Sequence, residues 1–337
     1  MPHERLVMED RSVQQSSTLL RVGCVVIGKD EGEKLLNSLK SLSTYCRLVY
    51  VDSASADRSA ERARAMGINV VELDMTQPFT AGRARNQGVE RLLQEHQNIE
   101  FIQFLDGDCE LEKSWLTHAV NFMDLNKKHA VVCGQLKEKF PEKSIYNWLC
   151  QIEWDTPRGD VHSCGGVALV RVDAFKDIGG FRLGLIAGEE PEMCFRLRSR
   201  GWKIKKTNQN MAYHDAEMYK FKQWFNRASR AGYAYAEGSS LHGDSEEKYW
   251  VKDTLSIWGW GLILPLFISV LCQFSMVFIA LTLIYPFQCV RIASSKKELL
   301  ARRYLWAFFI MLGKFPQAVG LLRFYASKYK DSHELKR

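Results

Sequence analysis

FIQFLDGDCELEKSWL, residues 101–116, runs an apolar stretch straight into a cluster of acids. Phe101, Ile102, Phe104 and Leu105 are side chains that a buried strand uses, whereas Asp106, Asp108 and Glu110 repel one another. Something must compensate that charge. Gly107 lets the backbone bend, so that Asp106 and Asp108 can converge on one divalent cation, a hard ion that prefers oxygen ligands. A tight Asp-Gly turn with solvated carboxylates is the other reading. An EF-hand is excluded, because Leu111 occupies the obligatory glycine position.

Outward from this stretch, between Leu19 and about Trp202, short apolar runs alternate with helical patterns. LLRVGCVVIG, RLVYVD, INVVEL, EFIQFL, HAVVCGQL and GGVALV read as strands. EGEKLLNSLKSL, DRSAERARAM, AGRARNQGVERLLQ and EKSWLTHAVNFMD read as the helices between them. This order predicts an α/β fold with a mostly parallel, Rossmann-like sheet, in which ligands collect at the carboxyl ends of strands.

Four such ends carry polar chemistry. GKDEGE follows the first strand. Asp52 closes the second, where VDSASADRS leads into a helix expected to be capped by Asp57; Asp52 itself can accept from a ribose hydroxyl or a base N–H, or serve only the turn. The third is the opening stretch. The fourth lies in residues 165–204, where Glu189, Glu190 and Glu192 open the helix PEMCFRLRSRG; acids there ordinarily complement the helix dipole, and Glu192 can also pair with Arg196.

Composition sets the outer bounds. The 337 residues are 46% hydrophobic and 12% aromatic, enough to bury a core in one large domain or two smaller ones and too apolar for a disordered chain. Lys plus Arg number 46 against 39 for Asp plus Glu, and the net +7 suits anionic substrates, nucleic acid or a lipid surface without choosing among them. Nine cysteines with no CxxC pair read as reduced packing thiols of a cytosolic compartment. No apolar h-region opens the chain, so no secretory signal is read, and residues 1–19 are expected to be a flexible arm. Neither GxGxxG nor GxxxxGK[ST] occurs, which disfavours a dehydrogenase or a P-loop protein.

The turn VVIGKDEGE, the VDSASADRS turn, the AGRARNQG helix start, the FLDGD triplet, the GGVALVR strand and the GEEPEMCFRLRSRGW block together resemble family 2 glycosyltransferases of the GT-A fold, over roughly residues 20–240. The resemblance implies a catalytic domain over 20–245. It would transfer a sugar from a nucleotide-sugar donor to a hydroxyl, with inversion, using one divalent cation, Mg2+ or Mn2+, and one carboxylate base. Carried over by position, it implies Asp52, Arg85, Asn86, Asp106 and Glu31 at the donor, and Asp108 with Asp106 and His214 at the metal. The family's Glu-Asp pair stands here as Glu189 and Glu190, with Glu190 the expected base and Glu189 positioning it or the donor sugar. Arg227 and Arg230, three apart on an amphipathic helix, could meet the diphosphate or an anionic acceptor, or form a solvated basic face. Two rival readings are a membrane-anchored nucleotide-sugar-binding protein without turnover and a sugar-phosphate nucleotidylyltransferase, although the latter's early basic glycine-rich loop is replaced by the acidic GKDEGE.

The last quarter changes character. No charged residue lies between Asp253 and Arg291, and the apolar run, taken as 254–290, is long enough to enter a bilayer, with Trp258 and Trp260 near one edge and Tyr285 near the other. Residues 291–337 hold eleven Lys or Arg against three acids and form an amphipathic basic tail suited to an anionic membrane surface. The positive-inside rule places that tail in the cytoplasm, and use of a cytosolic nucleotide sugar places the catalytic domain there too. The expected topology is therefore a hairpin turning near Gln273, shallow or re-entrant because two full spans need about 40 apolar residues, with YLWAFFIML too short to cross. Its turn would need protein or a dimer partner to satisfy the backbone. The expected partners are thus a nucleotide-sugar donor, a lipid-linked or saccharide acceptor, the membrane and a second copy of the chain, and no nucleic acid.

Overall fold

The computed structural model describes residues 19–42 and 47–334; the expected flexible arm, apart from Leu19, lies outside them. These residues form two compact units, one of residues up to 185 with 189–217, the other of 186–188 with residues from 218 onward.

The first unit is built on a nine-stranded sheet: β1 Val22–Gly28, β2 Arg47–Asp52, β3 Asn69–Glu72, β4 Phe101–Asp106, β5 Cys109–Leu111, β6 His129–Glu138, β7 Gly159–Asp160, β8 Ala168–Arg171 and β9 Lys203–His214. Spatial order is β3-β2-β1-β4-β8-β6-β9-β5, with β7 on β9. The first four strands are parallel, as is the β6–β9 pair. β8 runs antiparallel between β4 and β6, and β5 and β7 are antiparallel to β9, so the sheet is mixed and mostly parallel. VGCVVIG and FIQFLD are buried almost throughout because both faces of the parallel half are covered.

The helix Ala81–Glu95 shows how sequence sets this packing. Thr80 caps it by accepting from the Arg83 N–H at 3.2 Å, a contact whose loss costs about 1 kcal/mol. One turn further, Gly88 faces β1 so closely that an added Cβ would collide with Val25. The helix is thereby held with its first turn at the carboxyl end of β4.

Two elements were not legible in the sequence. β9, KIKKTNQNMAYH, is too polar to read as a strand, yet it pairs with β6 along its length through register irregularities. The buried ammonium of its Lys206 is satisfied by the Trp154 carbonyl at 2.8 Å and the Thr156 hydroxyl at 2.6 Å. The helix Ile145–Trp154 begins at Ser144, whose hydroxyl accepts from the Asn147 N–H at 2.9 Å, so a cap signal was present. Asp57 stands one residue before its expected place: the N-cap is Arg58, while Asp57 accepts from Ser59 N–H at 2.9 Å and Gly32 N–H at 2.8 Å.

The second unit is helical. Phe221–His242 packs against Lys314–Glu334 with backbones in near contact: an added Cβ at Gly232 would strike Gln317, and one at Gly320 would strike Ser229. Ala236, Ile257, Ala318, Leu321 and Phe324 form the core beside that crossing. This packing groups Phe221–His242 with the second unit, which takes in the chain from Met218 onward.

Among the described residues, three helical stretches are long and apolar enough to cross a membrane: Val251–Phe274, Met276–Ala293 and Arg302–Lys330. The first two meet at Ser275, whose extended backbone breaks the helix, and Tyr285 donates from its hydroxyl to the Trp260 carbonyl at 2.8 Å across the two arms. The first arm starts inside the charged flank, at Val251, so that each arm has the length of a span. YLWAFFIML likewise belongs to a longer apolar stretch, continued through Gly313 and Lys314.

Candidate active site

Arg85 is the centre of the site. Its side chain is 3% exposed, and its Nη2 donates to Asp106 Oδ1 at 2.8 Å while Nη1 donates to Glu189 Oε1 at 2.8 Å and lies 3.1 Å from Glu190 Oε1. Its planar fork thus joins the end of β4 to the first turn of the helix Glu189–Ser199, a geometry a lysine cannot reproduce. Burial opposes the guanidinium charge, but Glu190, Asp106 and Glu189 outweigh it. The clustered negative charge of the FLDGD stretch is compensated, in part, from within the chain.

Glu190 is strongly perturbed by this arrangement. Burial and the adjacent Glu189 carboxylate push it up to about 8, with Arg85 opposing the shift, and 16% of its side chain remains exposed. A carboxylate of raised pKa beside solvent is what proton abstraction near neutral pH needs. Gly166 makes room for it: an added Cβ there would stand 2.6 Å from Asp106 Oδ2, 2.9 Å from Arg85 Nη2 and 3.1 Å from Glu190 Oε1. The sequence marked the glycines only as flanking a strand; their proximity to the acids follows from the β4–β8 pairing.

Asp108 turns to different partners. Its Oδ2 lies 3.2 Å from His214 Nε2, brought there because Cys109 and His214 are paired residues of β5 and β9. Burial alone would raise Asp108, yet His214 holds it below the usual carboxylate range. Burial likewise would lower His214, but Asp108 and Glu138 raise it to about 9. Glu138, unmarked in the sequence because it simply ends a strand, places Oε2 3.9 Å from His214 Nδ1, and this ring nitrogen is buried without a hydrogen bond. Glu31 stands nearby, its carboxyl raised by burial and by Asp108, and linked to Lys34 at 3.2 Å. Gly107 is needed here for closeness, since its φ is not positive and an added Cβ would meet Glu31 Cγ and the Ile27 carbonyl, each at 3.2 Å.

Among the described residues, Asp108, Cys109 and His214 present a carboxylate oxygen, a thiol and a ring nitrogen within 4.8 Å of one another. That donor set, with Asp108 Oδ2 and His214 Nε2 already 3.2 Å apart, fits a divalent cation. Asp106 lies outside the trio, with Oδ1 committed to Arg85.

Other expected site residues are engaged locally. Asp52 accepts from Tyr50 Oη at 2.8 Å and from Ser55 N–H and Oγ at 2.9 and 2.6 Å, the turn chemistry that was its alternative reading. Asn86 spends its amide on the backbone of Phe181, donating at 2.8 Å and accepting at 2.9 Å, so it fixes the loop before the acidic helix. Glu192 is buried in ion pairs with Arg182 and Arg196, at 2.9 and 2.8 Å. Arg227 and Arg230 belong to Phe221–His242 of the second unit.

Residues 24–179 match the family model described as Glycosyl transferase family 2. Among solved structures, the mannosyltransferase PcManGT from Pyrobaculum calidifontis, in complex with GDP-Man and Mn2+, is similar with a TM-score of 0.61 and 16% identity over 90% of this chain and 87% of that one. S. aureus TarS 1–349 gives a TM-score of 0.48 at 16% identity over 90% and 91%. GalNAc-T7 with UDP, GalNAc and Mn2+ gives 0.46 at 15% over 70% and 54%. No curated protein sequence matches the chain. Residues 24–179 thus match a glycosyl transferase family 2 domain, and the architecture is the GT-A fold.

Proposed function

We propose that this glycosyltransferase works by inversion, with Glu190 as general base, moving a sugar from a nucleotide-sugar donor to a hydroxyl of a lipid-linked or membrane-proximal acceptor. The observation that carries this reading is the fork of Arg85, which holds Glu189 and Glu190 against the carboxyl end of β4. In a single displacement the acceptor oxygen attacks the anomeric carbon as the bond to the diphosphate breaks, and the acceptor proton passes to Glu190. No enzyme nucleophile is required, so one base suffices. Arg85 and Glu189 orient that base, and Gly166 leaves the space beside it open. A divalent cation, as in the Mn2+ complex of PcManGT, would be held by Asp108 and His214 with Asp106 beside them, and would stabilise charge on the departing diphosphate.

The membrane reading rests on the second unit. Val251–Phe274 and Met276–Ala293 expose large apolar side chains such as Phe267, Val270, Phe274, Val277 and Phe287, and these two arms enter the bilayer with both outer ends on the cytoplasmic side. Arg302–Lys330 lies along the surface instead, because its second half packs on Phe221–His242, a helix bearing Lys222, Arg227, Arg230 and Glu237.

Purified full-length protein in detergent or nanodiscs, screened against nucleotide sugars with Mn2+ or Mg2+, should release nucleoside diphosphate from one donor in a metal-dependent way. Tight donor binding with no release on any lipid or saccharide acceptor would leave a binding protein and end the catalytic reading.

A further inference from the structure

We propose that Cys164 and Cys194 form an oxidative modification site, a thiol pair whose disulfide constrains the acid cluster. Their sulfurs lie 3.5 Å apart, and a disulfide needs about 2.0 Å, a closure of about 1.5 Å. Cys194 is buried on the helix Glu189–Ser199, while Cys164 is only half-buried in the segment before β8, so an oxidant can reach one member of the pair.

Placement gives the bond its consequence. Cys164 is followed by Gly165 and Gly166, and Gly166 borders Asp106, Arg85 and Glu190. Cys194 stands four residues after Glu190, on the same helix face. Closing the bond therefore draws together the two walls that define the position of Glu190. The hydrogen bond with Cys194 and burial hold the Cys164 thiol well above its usual range, so little of it is thiolate near neutral pH and its reaction with an oxidant is slow.

A peroxide is the oxidant the pair would meet. Sulfur of Cys164 attacks one peroxide oxygen, the O–O bond breaks, and a sulfenic acid and water form. Cys194 sulfur then displaces hydroxide, which leaves as water with the Cys194 proton; overall two thiols and one hydrogen peroxide give one disulfide and two waters.

The full-length protein is treated with hydrogen peroxide, free thiols are blocked, and peptides are mapped with and without reduction. A Cys164–Cys194 linked peptide is expected, absent from Cys164→Ser and Cys194→Ser, together with slowed amide exchange at residues 189–194 that reductant reverses. Insofar as the catalytic reading holds, diphosphate release should fall about tenfold or more on oxidation and recover on reduction, with Cys164→Ser resistant. No linked peptide, or linkage through Cys133 instead, overturns the site. A linked peptide without change in exchange overturns its control over the acidic helix, and both readouts stand even if no turnover is found.

Discussion

Arg85 donates through Nη2 to Asp106 Oδ1 at 2.8 Å, and this one bond links the helix Ala81–Glu95 to the last residue of β4. The same guanidinium serves Glu189 and Glu190, so three carboxylates depend on one buried cation. Arg85→Ala leaves them without it. Breaking a buried pair in this way costs about 3–5 kcal/mol, so the variant should unfold at markedly lower denaturant. Arg85→Lys should recover only part of the loss, because a point charge cannot bridge both walls. Unchanged midpoints for both would mean that the cluster is held by something else.

Gly166→Ala tests the space beside the base. The added methyl would press on Asp106 Oδ2 at 2.6 Å and Arg85 Nη2 at 2.9 Å, and displacing Glu190 by an ångström should lower turnover about a hundredfold. Circular dichroism and gel filtration should remain those of the parent. Full activity in this variant would put the reacting hydroxyl elsewhere.

Glu190→Gln should bind donor and metal nearly as the parent does while transfer falls about a hundredfold or more. If Glu189→Gln has that effect and Glu190→Gln does not, the roles are reversed. The pH profile follows from the raised pKa: Glu190 must lose its proton to act, so kcat/KM should climb with pH and level off above about 8. Stability runs the other way. The folded state holds the proton more tightly than the unfolded one, so this contribution is complete below the ordinary value of 4.5 and is lost as pH rises through about 8. Glu190→Gln should flatten that decline in denaturant midpoints between these two values.

What the sequence revealed and what it hid divide along physical lines. Apolar period and turn chemistry are local, so β1, β2, β4 and the helices between them were readable, as were Asp106, Asp108, Glu189 and Glu190. The partners of those acids were not. Arg85 lies 104 residues from Glu189 along the chain, and only the sheet order brings them together. Glu138 and Gly166 carry no local mark, and β9 is held by pairing with β6 rather than by an apolar pattern of its own.

Asp108→Ala should abolish metal-dependent donor binding and reduce turnover by several orders, since charge on the leaving diphosphate would go uncompensated. It should also release His214. With Asp108 gone, a main support of its raised pKa of about 9 disappears, and the imidazole should titrate lower by NMR in Asp108→Asn. An unmoved titration would show that Glu138 alone holds the ring charged.

The hairpin can be tested for side and depth together. At about 1.5 Å per residue a 24-residue arm reaches about 36 Å, more than the roughly 30 Å of hydrocarbon it has to cross. The second arm has 18 residues, but its first eight, Met276–Leu283, are a 3-10 helix rising about 2.0 Å each, which brings it to about 31 Å. By length both arms suffice for full spans, and the proposed hairpin puts the break at Ser275 on the far side. In a background with Cys272 and Cys289 replaced by serine, Asp244→Cys and Ser295→Cys should resist an impermeant thiol reagent in sealed cells and react once the membrane is opened. Ser275→Cys should react from outside in the sealed cells. Protection at all three positions would restore a re-entrant turn that never reaches the far surface, whereas opposite behaviour of Asp244→Cys and Ser295→Cys would reveal an odd number of crossings between them and remove the hairpin altogether.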